Sequence, residues 1–240
     1  MPVMTTLQDN LRSVQSRIVA ACLAAGRNPS EVILLAVSKT FGADAVQEVA
    51  ACGQQDFGEN YIQEGVDKIT FLQSAANVNK PLIWHCIGPI QSNKTKYVAE
   101  FYSWAHTVDR LKIAQRLNDQ RPEYLPPLNV CLQVNIDGGA TKSGVAPEEV
   151  LELAKQVTQF PRLTLRGLMT IPDPVEGFEA QVALHTKARA LFNEVNDELN
   201  LTHFDTLSMG MTSDLEAAIH AGSTMVRVGT AIFGGRQYAA

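Results

Sequence analysis

Short apolar segments alternate with helical patterns along nearly the whole chain of 240 residues. Because parallel strands need crossovers long enough for a helix, this alternation predicts a parallel sheet covered by helices. Strands are predicted at 32–39, 56–60, 82–88, 104–109, 129–136, 165–171, 206–211 and 224–233. Helices are predicted at 6–25, 43–52, 61–75, 91–101, 111–120, 147–159, 176–199 and 214–221. Eight strands are the number that closes into a (β/α)8 TIM barrel.

An open, doubly wound sheet is the alternative architecture. Such a sheet normally has a glycine-rich turn after its first strand, and the segment Thr40-Phe41-Gly42-Ala43 carries no such fingerprint. The barrel is therefore favoured, with the helix at 6–25 as an extra N-terminal helix outside it. Since no linker, repeat or low-complexity segment interrupts the pattern, we expect residues 1–240 to form a single domain.

The net charge of −5 argues against nucleic acid as a partner, because phosphate neutralisation needs a basic face. No apolar run approaches the length of a membrane span, and the N-terminus lacks the order of a signal peptide. Four cysteines (Cys22, Cys52, Cys86 and Cys131) are widely spaced, which is typical of reduced structural thiols. We therefore expect a cytoplasmic protein with no bound metal and no membrane contact.

In a TIM barrel the working residues follow the carboxyl ends of the strands, and Lys39 ends the first one. A lysine among apolar neighbours and near another cation loses its proton more easily, and its free amine can attack a carbonyl. The alternative is an ordinary salt bridge at a strand end. His85, beside the end of the third strand, is interpreted either as a general base or as a hydrogen-bonded structural imidazole.

The loops after the last two strands predict a phosphate site, the position where barrels of this kind commonly bind phosphate. Ser208 and Gly210 lie in one loop, and Gly229 and Thr230 in the other, although these glycines could simply form turns. Arg227 either pairs with a carboxylate such as Glu59 or donates to a ligand. An amine, a guanidinium and a phosphate cup together suit an aldehyde with a phosphate and a ring nitrogen. Pyridoxal 5′-phosphate is such a molecule.

Seven segments resemble the pyridoxal phosphate homeostasis protein family, in the same order and over essentially the full length. They are LLAVSKT (34–40), FGENYIQE (57–64), WHCIGPIQSNK (84–94), HTVDR (106–110), LRGLMTI (165–171), LSMGMTSDLEAAI (207–219) and STMVRVGTAIFG (223–234). The resemblance implies a single barrel similar to the N-terminal domain of alanine racemase. It also implies pyridoxal 5′-phosphate bound covalently as an aldimine to Lys39.

The resemblance further assigns roles around that cofactor. Arg227 would meet the ring nitrogen, and Ser208, Gly229 and Thr230 the phosphate. Thr212 keeps a hydroxyl where relatives often carry serine, and Lys142 is a possible transient acceptor. The ten residues assigned to the cofactor are Lys39, Asn60, His85, Met169, Ser208, Met209, Gly210, Arg227, Gly229 and Thr230.

The implied function is pyridoxal 5′-phosphate homeostasis in the cell: storage, buffering or delivery of the cofactor, with effects on amino-acid and keto-acid balance. No catalytic residue is assigned, and the partners are the cofactor and apo forms of pyridoxal-dependent enzymes, with a monomer expected. One alternative is a racemase-like enzyme on a lone barrel. Racemases have a second domain that carries a tyrosine base, and we expect that domain to be lacking here, which argues against this alternative. Another is a phosphosugar isomerase, with Lys39 steering an anion and His85 as base.

Overall fold

Eight parallel strands form a closed barrel in which each strand pairs with the next and the last pairs with the first. This computed structural model describes residues 6–74, 81–139 and 143–235. The strands are β1 (Ile33–Val37), β2 (Asp56–Glu59), β3 (Ile83–Cys86), β4 (Trp104–Val108), β5 (Leu128–Val134), β6 (Leu163–Thr170), β7 (Thr206–Ser208) and β8 (Met225–Val228). The predicted (β/α)8 barrel is confirmed.

Helices surround the barrel on the outside. The described residues form nine: α1 (Leu7–Ala24), α2 (Ala43–Ala51), α3 (Ile62–Ser74), α4 (Thr95–Phe101), α5 (Leu111–Gln120), α6 (Val150–Val157), α7 (Phe178–Leu199), α8 (Leu215–His220) and α9 (Thr230–Phe233). Pro147 begins a 3-10 turn ahead of α6, as suits a residue with a fixed φ and no amide hydrogen. Within the described ranges, no helix is long and apolar enough to cross a bilayer.

The end of the last strand differs from the prediction. The sequence pattern extended it to 233, but β8 ends at Val228 and the chain turns helical from Thr230. The amides of Ile232 and Phe233 both donate to the Gly229 carbonyl at 2.9 Å. Both side chains are buried, so their apolar character reflects packing of a short helix instead of strand pairing. As a result, a helical turn lies where a longer strand would have continued.

Helix α1 packs outside the barrel as predicted, against α8 and α9. Thr6 caps it through a reciprocal pair of hydrogen bonds with Asp9. Its buried face is apolar, and Asn10 Nδ2 donates to the Ile232 carbonyl at 2.9 Å. Arg17 forms a two-pronged ion pair with Glu216. Helix α1 therefore braces the two short helices that follow the last two loops.

The barrel interior is not uniformly apolar. Two small apolar clusters are separate from the large one between strands and helices: Leu35, Val37, Ile87 and Met225 in one, and Trp104, Cys131 and Met169 in the other. Beside them lie buried polar side chains from β3, β4, β7 and β8, namely His85, His106, Ser208 and Arg227. Buried polar groups need hydrogen-bond partners, and one of these four residues, Arg227, also lines the cavity described next.

Candidate functional site

A cavity of about 590 Å³ opens at the carboxyl ends of the barrel strands. Its volume is in the range of small-molecule sites. Eleven described residues line it: Val37, Lys39, Asn60, Ile87, Ile171, Met211, Thr212, Ser213, Arg227, Gly229 and Thr230. The wall thus combines an amine, a guanidinium, an amide and three hydroxyls with aliphatic and thioether side chains.

The backbone around Lys39 is tied to α3 on both sides. Its predecessor Ser38 accepts a hydrogen bond from Lys68 Nζ at 2.8 Å, through the Ser38 carbonyl. Its successor Thr40 donates its amide to Glu64 Oε1 at 2.6 Å and has a φ of 69°, which is uncommon for a residue other than glycine. These contacts fix the course of the chain directly before and after the half-exposed lysine.

The lysine that contacts Ser38 also forms an ion pair with a buried carboxylate, Glu59. Lys68 Nζ lies 2.7 Å from Glu59 Oε1 and 2.7 Å from Glu64 Oε1, and Ser38 Oγ donates to Glu59 Oε1 at 2.6 Å. Burial raises the pKa of Glu59 although Lys68 opposes the shift. Glu59, the carboxylate that the sequence offered as a partner for Arg227, is therefore paired with Lys68 instead.

Arg227 reaches the cavity from β8 and is only 4% exposed. Its Nη1 donates to Ser208 Oγ and its Nη2 to the Thr170 carbonyl, each at 2.8 Å. Burial lowers the pKa of Arg227 to about 10, with Asp214 and Cys131 acting in the opposite direction. The guanidinium therefore remains charged at neutral pH. Since it carries five N–H groups, these two bonds do not exhaust its capacity to donate.

Two threonine hydroxyls meet in the wall of the cavity. Thr230 Oγ1 and Thr212 Oγ1 are 3.4 Å apart, across the loops that follow β8 and β7. The Thr212 carbonyl accepts from Arg17 Nη2 of helix α1 at 3.0 Å. In the same loop, Asp214 Oδ1 accepts the Met211 amide at 2.6 Å. These bonds hold the loop with its hydroxyls toward the cavity.

Asp214 is itself held by a histidine. Its Oδ2 lies 2.9 Å from His185 Nε2 of helix α7. Burial works against ionisation of Asp214, but the hydrogen bonds from His185 and the Met211 amide prevail, and its pKa is lowered. The loop after β7 is thus anchored to a carboxylate that stays charged.

The backbone at Asn60 packs closely against the backbone at Gly88. A Cβ at Gly88 would lie 2.0 Å from the Asn60 carbonyl oxygen, so only glycine fits there. Gly88 directly follows Ile87, another cavity-lining residue, in the loop after β3. The two loops after β2 and β3 can pack side by side because residue 88 has no side chain.

Five of the ten residues assigned from the sequence line the cavity together: Lys39, Asn60, Arg227, Gly229 and Thr230. The other five are buried outside its lining: His85, Met169, Ser208, Met209 and Gly210. Ser208 lies against Arg227, and His85 contacts His106 inside the barrel. Lys142 falls outside the described residues.

The sequence reasoning missed Ser213 and the apolar wall of the cavity. Ser213 adjoins the hydroxyl of Thr212, which had been recognised, and this adjacency was the available signal. Val37, Ile87 and Ile171 flank predicted strand ends, but in a barrel both faces of a strand are buried, so their hydrophobicity did not distinguish cavity from core. Within the described ranges, no three metal-ligating side chains come together.

The cavity can recognise a small ligand that carries both a carbonyl and an anionic group. Lys39 supplies an amine that can condense with an aldehyde, and the hydroxyls of Thr212, Ser213 and Thr230 can donate to phosphate oxygens. Arg227 supplies a hydrogen-bond donor for an acceptor atom of the ligand. The cavity therefore offers an amine, a guanidinium and hydroxyls, the kinds of group that the sequence suggested for an aldehyde, a ring nitrogen and a phosphate, although Ser208 is not among them.

Comparison with known proteins agrees with this geometry. The family model described as "Alanine racemase, N-terminal domain" matches residues 5–237. The pyridoxal phosphate homeostasis protein of Pseudomonas aeruginosa is 55% identical over 237 residues, covering 99% of this chain and 99% of the relative. The protein of the same name from Escherichia coli K12 is 52% identical over 235 residues, covering 98% and 99%.

A solved structure also matches. PipY of Synechococcus elongatus, determined with PLP bound, is 35% identical with a TM-score of 0.76, covering 92% of this chain and 100% of that one. The names of the two curated relatives state a role in homeostasis and no reaction.

Proposed function

The chain belongs to the pyridoxal phosphate homeostasis protein family, and from this we propose that it binds pyridoxal 5′-phosphate reversibly in the barrel cavity. The observation that carries the proposal is the convergence of Lys39, Arg227 and the threonine pair on one cavity. The donor set fits the ligand: an amine for the aldehyde, a guanidinium for the ring nitrogen and hydroxyls for the phosphate. Holding the cofactor in this way serves to store, buffer or deliver it.

Lys39 is proposed to hold the aldehyde covalently, as an imine. Its position after β1 places the amine in the cavity wall, and the contacts of Ser38 and Thr40 with α3 keep the backbone fixed. Fixing the backbone limits the conformational freedom lost when the lysine reacts. Imine formation exchanges with other amines, so that the linkage is reversible.

Arg227 is proposed to donate to the ring nitrogen. A guanidinium donates hydrogen bonds without giving up its proton, so a ring nitrogen that accepts from Arg227 stays unprotonated. The ring is then a weak electron sink, which favours retention of the cofactor over carbanion chemistry. Thr212, Ser213, Gly229 and Thr230 are proposed to bind the phosphate. Thr212 and Ser213 thereby take the role that the sequence assigned to Ser208.

A racemase is the second candidate, because the matching family model is that of an alanine racemase domain. Racemisation needs bases on two faces of the substrate. Among the eleven described residues that line the cavity, Lys39 alone carries a side chain suited to proton exchange near neutral pH. His85, the base required by a phosphosugar isomerase, is fully buried outside that lining. The lining therefore supports a binding protein over either enzyme.

We also propose that residues 1–240 act as one domain and a monomer in the cytoplasm, and hand the cofactor to apo forms of pyridoxal-dependent enzymes. The four cysteines are free thiols, as is usual in a reducing compartment. Transfer through an exchangeable imine needs access of an amine to the cavity, and the half-exposed Lys39 is compatible with that access.

Borohydride reduction of the loaded protein tests the covalent assignment. We expect mass spectrometry to find the reduced cofactor on Lys39, and to find no covalent label in Lys39→Ala, which still binds the cofactor through its phosphate. Lys96→Ala is the matched control, since its side chain is 67% exposed on helix α4. A label on another lysine in the wild type would overturn the role of Lys39, and absence of cofactor uptake would overturn the proposed function.

The racemase alternative has its own measurement. We expect the loaded protein to give no exchange of the α-proton of alanine in deuterated water above the rate with free cofactor. Rapid exchange that Lys39→Ala abolishes would favour an enzyme.

A further inference from the structure

Polar side chains form a continuous hydrogen-bonded chain through the barrel interior, ending at Arg227. Asp56 Oδ1 lies 3.0 Å from His85 Nε2, and His85 Nδ1 lies 2.9 Å from His106 Nε2. His106 Nδ1 lies 3.2 Å from Ser208 Oγ, which accepts from Arg227 Nη1 at 2.8 Å. The chain uses one residue from each of β2, β3, β4, β7 and β8.

This chain crosses the barrel from one end to the other. Asp56 is the first residue of β2 and its side chain is 22% exposed, whereas Ser208 is the last residue of β7. Beyond Asp56, the side chains of His85, His106 and Ser208 are fully buried and Arg227 is 4% exposed. Water therefore does not compete for the internal hydrogen bonds, and each donor needs its acceptor within the chain.

The two ends of the chain indicate the direction of its bonds, since one is a guanidinium that only donates and the other a carboxylate that accepts. A guanidinium only donates, so Ser208 Oγ accepts from Arg227 and is free to direct its own hydrogen to His106 Nδ1. A neutral His106 that accepts at Nδ1 carries its proton on Nε2 and donates to His85 Nδ1. His85 then carries its proton on Nε2 and donates to the Asp56 carboxylate.

The reverse direction is unfavourable. If neutral His106 donated from Nδ1 to Ser208, its Nε2 would accept from His85, and the lone pair of His85 Nε2 would face the Asp56 carboxylate at 3.0 Å. Only a charged His85 would relieve that contact. Burial lowers the pKa of His85 against the pull of Asp56, and lowers the pKa of His106 well below its usual range, helped by His85 and Arg227.

We propose that Asp56, His85, His106 and Ser208 are positioning residues whose one-directional hydrogen-bond chain holds the Arg227 guanidinium where the ligand's ring nitrogen meets it. This rests on the proposed function, which assigns Arg227 to that nitrogen. The Thr170 carbonyl holds the other terminal nitrogen of the guanidinium, so its plane is fixed from two sides. Arg227 touches the ligand, and the four chain residues act through it.

The ligand-free protein provides the first test. Nuclear magnetic resonance of isotope-labelled imidazoles distinguishes protonated from unprotonated ring nitrogens. At neutral pH we expect both His85 and His106 to be neutral, with the proton on Nε2 and none on Nδ1. A charged ring at either residue, or a proton on Nδ1 of either, overturns the directional chain whether or not the protein binds any cofactor.

Two substitutions of His106 separate positioning from packing. In His106→Asn the amide oxygen replaces Nδ1 and still accepts from Ser208, whereas in His106→Gln the amide nitrogen replaces Nε2 and the bond to Ser208 is lost. We expect the dissociation constant for pyridoxal 5′-phosphate to rise about five- to tenfold in the Gln variant and about twofold or less in the Asn variant. The absorption band of the bound cofactor should shift in the Gln variant only.

Cys131→Ala is the matched control, because Cys131 is equally buried in the barrel interior but lies outside the chain. Equal losses in the Asn, Gln and Ala variants, or wild-type affinity and spectrum in all three, overturn the positioning role while the proposed function stands. Failure of the wild type to take up the cofactor overturns the proposed function instead. Variants that do not fold leave the imidazole resonances of the wild type as the deciding measurement.

Discussion

At the scale of single residues, two hydroxyls four positions apart have different surroundings. Ser208 ends β7 and points into the barrel, where Arg227 and His106 engage it. Thr212 lies beyond a turn at Gly210, which has a φ of 91° and where a Cβ would lie 2.4 Å from the Ala218 side chain. The turn requires glycine and redirects the chain, so that Thr212 reaches the cavity.

Replacing Thr212 by valine keeps the branched shape and removes the hydroxyl. If that hydroxyl binds the phosphate, the dissociation constant for pyridoxal 5′-phosphate should rise about five- to tenfold, and that for pyridoxal, which has no phosphate, should not change. Equilibrium titration followed by absorbance measures both. Thr202→Val, at an exposed position, is the control. An equal loss of affinity for both ligands would contradict a phosphate contact.

Lys39, Arg227 and Thr230, which were assigned because each combines an informative side chain with a strand end, line the cavity. His85, Met169 and Ser208 were assigned in the same way but are buried outside the lining, and the sequence could not show this for one physical reason. Strands of a closed barrel are buried on both faces, so period-two alternation does not tell which face looks inward, nor how far up the barrel a residue lies. The facing direction and the height of a residue in the barrel depend on strand register. For example, His85 pairs with Gly58 on one side and with Trp104 on the other.

At the scale of elements, helix α3 controls the exit of β1. Glu64 and Lys68 are one helical turn apart and share a face, which brings both to the segment around Lys39. Lys68 also neutralises Glu59, which comes from the end of β2 and is fully buried. A buried ion pair is weak evidence for net stability, but removing one partner leaves a charge stranded in the core.

Lys68→Met should therefore lower the free energy of unfolding by about 3–5 kcal/mol, as measured by urea denaturation. The double variant Lys68→Met/Glu59→Gln should recover most of that loss, because no carboxylate is then left unpaired. Lys96→Met removes an exposed lysine that is 3.6 Å from Glu100, and should cost about 0.5 kcal/mol or less. A Lys68→Met variant as stable as Lys96→Met would show that Glu59 does not depend on the ion pair.

At the scale of the whole molecule, the buried polar side chains of the barrel interior should lower the stability of the fold in acid. The polar chain from Asp56 to Arg227 replaces apolar packing in the centre of the fold and keeps two buried imidazoles neutral. Unfolding releases them into water, where a histidine has a pKa of about 6.5. Below that pH the unfolded chain binds more protons than the folded one at these two positions. Folding is then linked to pH.

The free energy of unfolding should accordingly fall as the pH drops from 7 through about 6.5, by up to ~1.4 kcal/mol per pH unit for each of the two histidines. Glu59, with its raised pKa, acts in the opposite sense, and a comparison of variants at each pH cancels its contribution. Urea denaturation across this range should give a flatter pH dependence for His106→Asn than for the wild type. His203→Asn, which removes an exposed imidazole, should follow the wild type. Parallel curves for His106→Asn and the wild type would mean that His106 takes up protons equally in both states, contrary to its burial beside His85 and Arg227.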